Sequence, residues 1–109
     1  MKKHYRLGSS QDFNVLFRKG KRIETPLFRI TILSNRLSHA RIALIAPRAI
    51  EKRAVLRNRL RRRTSEWLRR NAILGLPLDI AIFFKRDAVI VPRKKLYEEL
   101  RKIFWEYIN

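Results

Sequence analysis

Between Arg53 and Arg63 the chain places six arginines in eleven residues, interrupted by Leu56 and Leu60 at helical spacing. Continued through Thr64, Trp67 and Leu68, these positions fall within an arc of about 120° on a helix of 100° per residue. The spacing predicts a long helix from about Ile50 to Asn71, with that arc buried and Asn58, Arg61, Arg62, Ser65 and Arg69 on the opposite side. Arg57 borders the apolar stripe, where its stem can lie on the core while its head reaches outward. A helix so loaded repels itself. It needs a core to hold its stripe and a large anionic surface to meet its charge. Nucleic acid fits, because phosphate neutralisation by arginine and lysine releases condensed counterions. A merely solvated basic face is the alternative, and the charge of the whole chain weighs against it.

That charge is +18, from 27 Lys+Arg against 9 Asp+Glu, spread from Lys2 to Lys102. Arginine supplies 18 of the 27, a bias that favours phosphate, because the guanidinium forks onto two oxygens where lysine offers a point charge. With 46% hydrophobic residues and only 3 Gly and 4 Pro in 109 residues, the chain can bury a modest core, so it is no disordered basic tail. One domain over 1–109 is expected. Cysteine is absent, which excludes disulfides, thiolate metal sites and cysteine nucleophiles and suits a reducing cytoplasm. No apolar run follows Met1-Lys2-Lys3, so no secretory signal is expected. The apolar run Leu78–Phe84 is too short for a membrane span and is broken by Asp79. The reading is a cytoplasmic, polyanion-binding chain with no membrane partner, and nothing predicts a protein oligomer.

Ser9 or Ser10 can cap a first helix ending near Lys19, with Gly20 as its C′ residue and Phe13, Leu16 and Phe17 on one face. Ile23 to Leu33 reads as extended chain interrupted near Thr25-Pro26, with Phe28, Ile30 and Ile32 alternating against a wet face of Arg29 and Thr31. Arg41–Ala46 forms another strand, ended by Pro47. Leu78–Phe84 reads as a central strand covered on both faces, and Ala88–Val91 as a short apolar stretch. A final helix from about Arg93 to Tyr107 carries Leu96, Leu100, Ile103, Phe104 and Tyr107 on one face. Trp67, Phe83, Phe84 and Phe104 read as core. The order α-β-β-β-α-β-α predicts an α+β fold: a single two-layer domain, a small mixed sheet with a long basic central helix.

Arg57-Asn58-Arg59-Leu60-Arg61-Arg62 resembles the "RNR" helix signature of the protein subunit of bacterial ribonuclease P. The resemblance extends to Asp12-Phe13-Asn14-Val15-Leu16-Phe17-Arg18-Lys19-Gly20, to Arg41-Ile42-Ala43-Leu44 and to Asp79-Ile80-Ala81-Ile82, in the family's order and over nearly the whole chain. The chain departs from that pattern in three places. Ser65 stands where a basic residue is usual, Arg63 where an apolar one is common, and Arg48-Ala49 replaces a lysine pair.

The resemblance implies a left-handed β-α-β crossover, an exception to the right-handed rule. It also implies a ribonucleoprotein endonuclease that removes the 5′ leader of precursor tRNA, with catalysis by an RNA subunit and its bound Mg²⁺. On this reading Arg57, Asn58, Arg59, Arg61 and Arg62, flanked by Arg53 and Arg69, bind the catalytic RNA. Asn58 could instead cap or orient a neighbouring arginine, and the sequence leaves both roles open. Phe13 and Phe17 would stack on leader bases, which tolerates any sequence, with Arg18, Lys19, Lys21, Arg29 and Thr31 as polar neighbours. Thr31 stands where some relatives carry an aromatic residue.

The residues agree with a protein that has no catalytic side chain, no metal site and no cofactor of its own. The nine acids are dispersed, and His4 and His39 have no orienting partner in sequence. Other readings are a structural RNA-binding protein of ribosomal type, a DNA-binding helix protein, and a membrane-surface helix. The last two fit poorly: the arginines cover too much of one helix for a DNA reader, and the surrounding strands compete for the stripe that lipid would need.

Overall fold

The computed structural model describes residues 2–108 of the expected single domain; Met1 and Asn109 lie outside the described residues. After a 3₁₀ turn at Lys3–Tyr5 come α1 (Ser10–Lys19), β1 (Lys21–Glu24), β2 (Phe28–Ser34), β3 (Arg41–Ile45) and α2 (Ala54–Arg70). Then follow a 3₁₀ turn at Ile73–Gly75, β4 (Leu78–Phe84), α3 (Asp87–Ile90), α4 (Arg93–Ile103) and α5 (Trp105–Ile108). The sheet order is β1-β2-β4-β3, with β3 parallel to β4 and the other pairs antiparallel. This is the mixed sheet of an α+β domain, its parallel pair joined through α2.

Alternation along the strands sorts the core into two clusters. Phe28, Ile30, Ile32, Ile42, Ile80, Ile82 and Phe84 face Leu60, Trp67 and Leu68 of α2 and Leu96, Leu100, Ile103 and Phe104 at the C-terminal end. On the other face Leu16 of α1 packs with Leu7 and Ala81, and Phe13, Phe17, Leu33, Ala43 and Phe83 close round them. The face expected to be wet on β2 is therefore covered where α1 crosses it. Thr31 is only 3% exposed. Alternation marked the strand but not the helix that returns to sit on its polar side.

Several element ends differ in place or conformation from expectation, for local reasons. Ser9 caps α1 by accepting the Asp12 amide at 3.4 Å, but Gly20 has φ −73° and not the left-handed conformation expected of a C′ glycine. Its value is space: a Cβ there would stand 2.5 Å from the Leu16 carbonyl oxygen and 2.6 Å from Thr31 Cγ2. Helix α2 starts at Ala54 instead of Ile50, because the Glu51 carboxylate accepts the Arg53 backbone N–H at 2.9 Å and holds the chain outside the helix. At its other end Ala72 takes φ 60°, a left-handed turn made without glycine. The last helix breaks at Phe104, which is fully buried with φ −96° and ψ 13°, leaving Trp105 exposed on the short α5. Ala88–Val91, read as an apolar stretch, mostly forms the single turn α3. Among the described residues no helix is long and apolar enough to cross a membrane.

Candidate nucleic-acid interface

Helix α2 buries Leu60, Thr64, Trp67 and Leu68, with Leu56 half-buried, so the stripe read from the sequence is the one that packs. That fixes the two flanks. Arg61, Arg62, Ser65, Glu66 and Arg69 border a cleft of about 1090 Å³, whose other walls include Lys2, Tyr5, Leu7, Phe13, Ala43 and Ile45. Its volume is at the upper end of the range for small-molecule pockets, roughly 300–1,000 Å³. The N-terminal segment closes one end of this cleft, where the Leu7 amide donates to the Ile42 carbonyl at 3.0 Å along the β3 edge. On the other flank, where α4 packs against α2, Arg63 lies within electrostatic reach of Arg59 on its own helix and of Arg93 and Tyr97 on α4.

The arginines are not equivalent. Arg61 donates to Asn58 Oδ1 at 2.8 Å and to the Ala46 carbonyl at 3.4 Å, so Asn58 orients a neighbouring arginine one turn along. Arg53 forks onto Glu51 at 3.0 Å through both Nε and NH2, and this hydrogen-bonded pair holds the Glu51 carboxyl at about 2. Arg69 and Arg70 share Glu66 at 2.7 and 2.8 Å, which lowers the Glu66 pKa, with the Arg69 hydrogen bond the largest cause. The flanking pair Arg53 and Arg69 is thus partly neutralised within the protein. Arg57, Arg59 and Arg62 have no ion-pair partner among the described residues, and the Nε atoms of Arg57 and Arg59 are buried without a hydrogen bond. Burial first, then repulsion from Arg59 and Arg93, pushes the Arg63 guanidinium below its ordinary pKa. It stays cationic near neutrality.

Opposite α2, α1 is locked to the sheet by an ion cluster. Arg41 on β3 grips Asp79 of β4 through Nε at 2.9 Å and NH2 at 2.7 Å, and reaches Asp12 of α1 through NH1 at 2.8 Å. Asn35 adds a bond to Asp79 Oδ1 at 3.0 Å. The hydrogen bond to Asp79 is the main reason the Arg41 pKa is raised. Because Asp12 precedes Phe13, this clamp also sets where the aromatic wall stands. Phe13 and Phe17 stack with centroids 5.8 Å apart, and Phe17 lies 6.1 Å from Phe83, extending the line of rings onto β4.

The two sets of candidate residues therefore meet in part. Phe13 shares one cleft with Arg61, Arg62 and Arg69, although the sequence assigned them to separate surfaces. Arg18 and Lys19 are exposed at the end of α1. Lys21 pairs with Glu106 at 3.1 Å and Arg29 with Glu24 at 3.1 Å, both on or beside the β1 edge and outside the cleft lining. Thr31 is corrected: buried under α1, it supports the helix and has no surface to offer RNA. Phe83 is corrected the other way, being half-buried beside Phe17 and not in the main core. A run as apolar as Leu78–Phe84 hides which face each residue takes, but the pairing of Phe83 with Arg29 places it on the α1 side.

Among the described residues there is no group of acids and histidines arranged to hold a metal. His4 and His39 do come together, with ring centroids 5.2 Å apart beside Tyr5, and His39 Nδ1 faces the Ala40 carbonyl at 2.9 Å. Neither forms an ion pair with a carboxylate among the described residues.

A ribonuclease P family model matches residues 1–108. The chain belongs to the ribonuclease P protein family. It is 33% identical over 102 residues to the ribonuclease P protein component of Thermotoga maritima, covering 92% of this chain and 80% of that one. The component from Exiguobacterium is 30% identical over 104 residues, covering 95% and 90%. Among solved structures, the Staphylococcus aureus RNase P protein superposes with TM-score 0.83 at 21% identity over 94% of both chains. The Thermotoga maritima protein gives TM-score 0.77 at 24% identity, over 90% of this chain and 93% of that one. Superposition of this quality preserves handedness, so the β3–α2–β4 crossover has the family's left-handed sense. Within the ribonuclease P fold, the RNR segment lies on α2 with its charges divided between two flanks.

Proposed function

We propose that the chain is the protein component of a cytoplasmic ribonuclease P ribonucleoprotein, binding the catalytic RNA and the 5′ leader of precursor tRNA to support endonucleolytic 5′ maturation. The observation that carries this reading is the shared cleft, with the ring of Phe13, which stacks on Phe17 just outside the lining, on the α1 side and Arg61 and Arg62 on the α2 side. Such a cleft can meet RNA from both sides, because rings stack on leader bases of any sequence while the arginines neutralise the backbone of the catalytic RNA. Arg57, Asn58, Arg59, Arg61 and Arg62 serve the catalytic RNA, with Asn58 acting through Arg61. Arg53 and Arg69 contribute less, since each already holds a carboxylate. Phe13 and Phe17 serve the leader, joined by Phe83, while Arg18 and Lys19 follow the strand past the end of α1. Lys21 and Arg29 guide it only at long range.

Bond cleavage falls to the RNA subunit and the Mg²⁺ it binds. The chemistry of five of the protein's nine acids supports this assignment. Asp12 and Asp79 are held by Arg41, Glu24 by Arg29 and Lys85, Glu51 by Arg53, and Glu66 by Arg69 and Arg70. A carboxylate already neutralised in this way is a poor ligand for a catalytic cation.

Reconstitution tests the proposal. Added to a bacterial ribonuclease P RNA at low Mg²⁺, the protein should restore removal of the leader from precursor tRNA. No stimulation, at protein concentrations that saturate RNA binding, would sink it in favour of a structural RNA-binding role.

A further inference from the structure

The flank of α2 that turns away from the cleft carries its own cluster of cations. Arg59 and Arg63 stand one turn apart on α2, and Arg93 and Tyr97 stand one turn apart on α4, which packs beside it. The Tyr97 ring is half-buried against the main core, so the cluster has an aromatic base. No acid among the described residues forms an ion pair with Arg59, Arg63 or Arg93: Glu51 and Glu66 serve Arg53, Arg69 and Arg70, and of the acids on α4 itself Glu98 is exposed and Glu99 buried, neither of them in an ion pair. Arg59 also leaves its buried Nε without a partner, a donor removed from water with nothing yet to receive it. Desolvated like charges oppose folding unless an anion joins them.

We infer that Arg59, Arg63, Arg93 and Tyr97 form a second phosphate-binding site, on the α4 flank of α2, that takes a backbone segment of the catalytic RNA. The inference rests on the ribonuclease P reading and deepens it: α2 then sits between two RNA segments, one at the cleft and one at the α4 side. The catalytic RNA is favoured over the substrate because the leader is placed at the opposite flank, beside Phe13. Guanidinium forks suit phosphate oxygens, and the stems of Arg59 and Arg63 are already packed, so little side-chain freedom is lost on binding.

The test uses the full chain with substitutions that keep the side-chain length, Arg63→Gln combined with Arg93→Gln, beside Arg61→Gln as the cleft comparison. Binding to ribonuclease P RNA is measured across a salt series. The double variant should lose roughly ten-fold in affinity, and its salt slope should fall by about one unit for each phosphate contact removed. Its ratio of affinities for leadered precursor and mature tRNA should remain that of the wild type. Without RNA, inorganic pyrophosphate should raise the melting temperature of the wild type more than that of the double variant. Unchanged affinity and slope in the double variant, with Arg61→Gln clearly weakened, would overturn the second site and leave the cleft intact. A changed tRNA ratio in the double variant would also overturn it, by assigning these residues to the substrate. A wild-type chain that binds ribonuclease P RNA no better than an unrelated RNA of equal length would overturn the parent reading along with the inference.

Discussion

Helices α1 and α2 both border the cleft, yet they are held and equipped in opposite ways. Helix α1 brings rings, Phe13 and Phe17, and is tied down by a semi-buried ion cluster in which Arg41 joins Asp12 to Asp79. Helix α2 brings charge and is tied down by an apolar stripe, Leu60, Trp67 and Leu68, with only the exposed-headed Arg53–Glu51 pair at its start. The difference shows how a small basic protein can place opposite chemistries side by side. Where the working surface is cationic the anchor is apolar, so it adds no further charge. Where the working surface is aromatic, the anchor uses charge.

The largest expected effect comes from breaking the α1 anchor. Arg41→Met keeps the side-chain stem but leaves the Asp79 carboxylate, whose side chain is 8% exposed, without its counter-ion. Removing one partner of a buried pair costs about 3–5 kcal/mol, and the quarter exposure of Arg41 places this case near the lower end, about 3 kcal/mol. Urea unfolding measures it. If the anchor works as described, the double variant Arg41→Met with Asp79→Asn should recover part of the loss, because no buried charge is then left alone. Equal instability of single and double variants would mean that packing, and not charge, holds α1.

Much of this contrast was legible in the sequence. Period 3.6 gave the α2 stripe residue by residue, and a continuous apolar run marked β4 as central. Legibility failed where a distant element decided the outcome. Nothing in Phe28–Ser34 says that α1 will lie across Thr31, and nothing in Leu78–Phe84 says that Phe83 will meet Phe17. Gly20 was legible as a glycine that matters, but for the wrong reason, because the close approach of Thr31 is a tertiary fact. The start of α2 was misplaced because a glutamate outside the helix captures Arg53 before the apolar period begins. The candidate RNA residues can be named from the sequence as a set, but their division between cleft and far flank needs the packing of α2 against its neighbours. Only the structure shows that Asn58 Oδ1 accepts from the Arg61 head.

An intermediate effect should separate rings from charge in function. Phe17→Ala, which removes a ring from a half-buried wall, should weaken binding of leadered precursor by about ten-fold, since stacking contributes roughly 1–3 kcal/mol per base. The loss should change little with salt, and mature tRNA should be unaffected. Arg61→Gln should do the reverse, lowering the salt slope for ribonuclease P RNA by about one unit. Asn58→Ala, which releases the Arg61 head without removing its charge, should keep the slope and lose only a few-fold in affinity. Competitive binding assays at two salt concentrations distinguish these outcomes. Equal losses for leadered and mature tRNA in Phe17→Ala would remove the leader from the α1 wall, and circular dichroism must first show that the fold survives.

The smallest effect belongs to the start of α2, and its sign follows from the Glu51 carboxyl. Its pKa lies at about 2, against an ordinary value of 4.5, chiefly because the Arg53 side chain and then the Arg53 backbone N–H donate to it. A depressed carboxyl contributes stability that is present above the unfolded value and lost as pH falls through the folded one. Helix α2 should therefore fray from its first turn between about pH 4.5 and 2, visible as faster amide exchange at Leu56 and Arg57, whose N–H groups bond to the Arg53 carbonyl. Glu51→Gln should show that fraying already at neutral pH and should flatten the acid limb. The same change frees the Arg53 guanidinium, so binding of ribonuclease P RNA should become more salt-dependent, not less. A variant that frays and yet binds RNA with a steeper slope would show that this pair trades RNA affinity for helix order. A shallower slope would mean that Arg53 reaches phosphate only when Glu51 holds it in place.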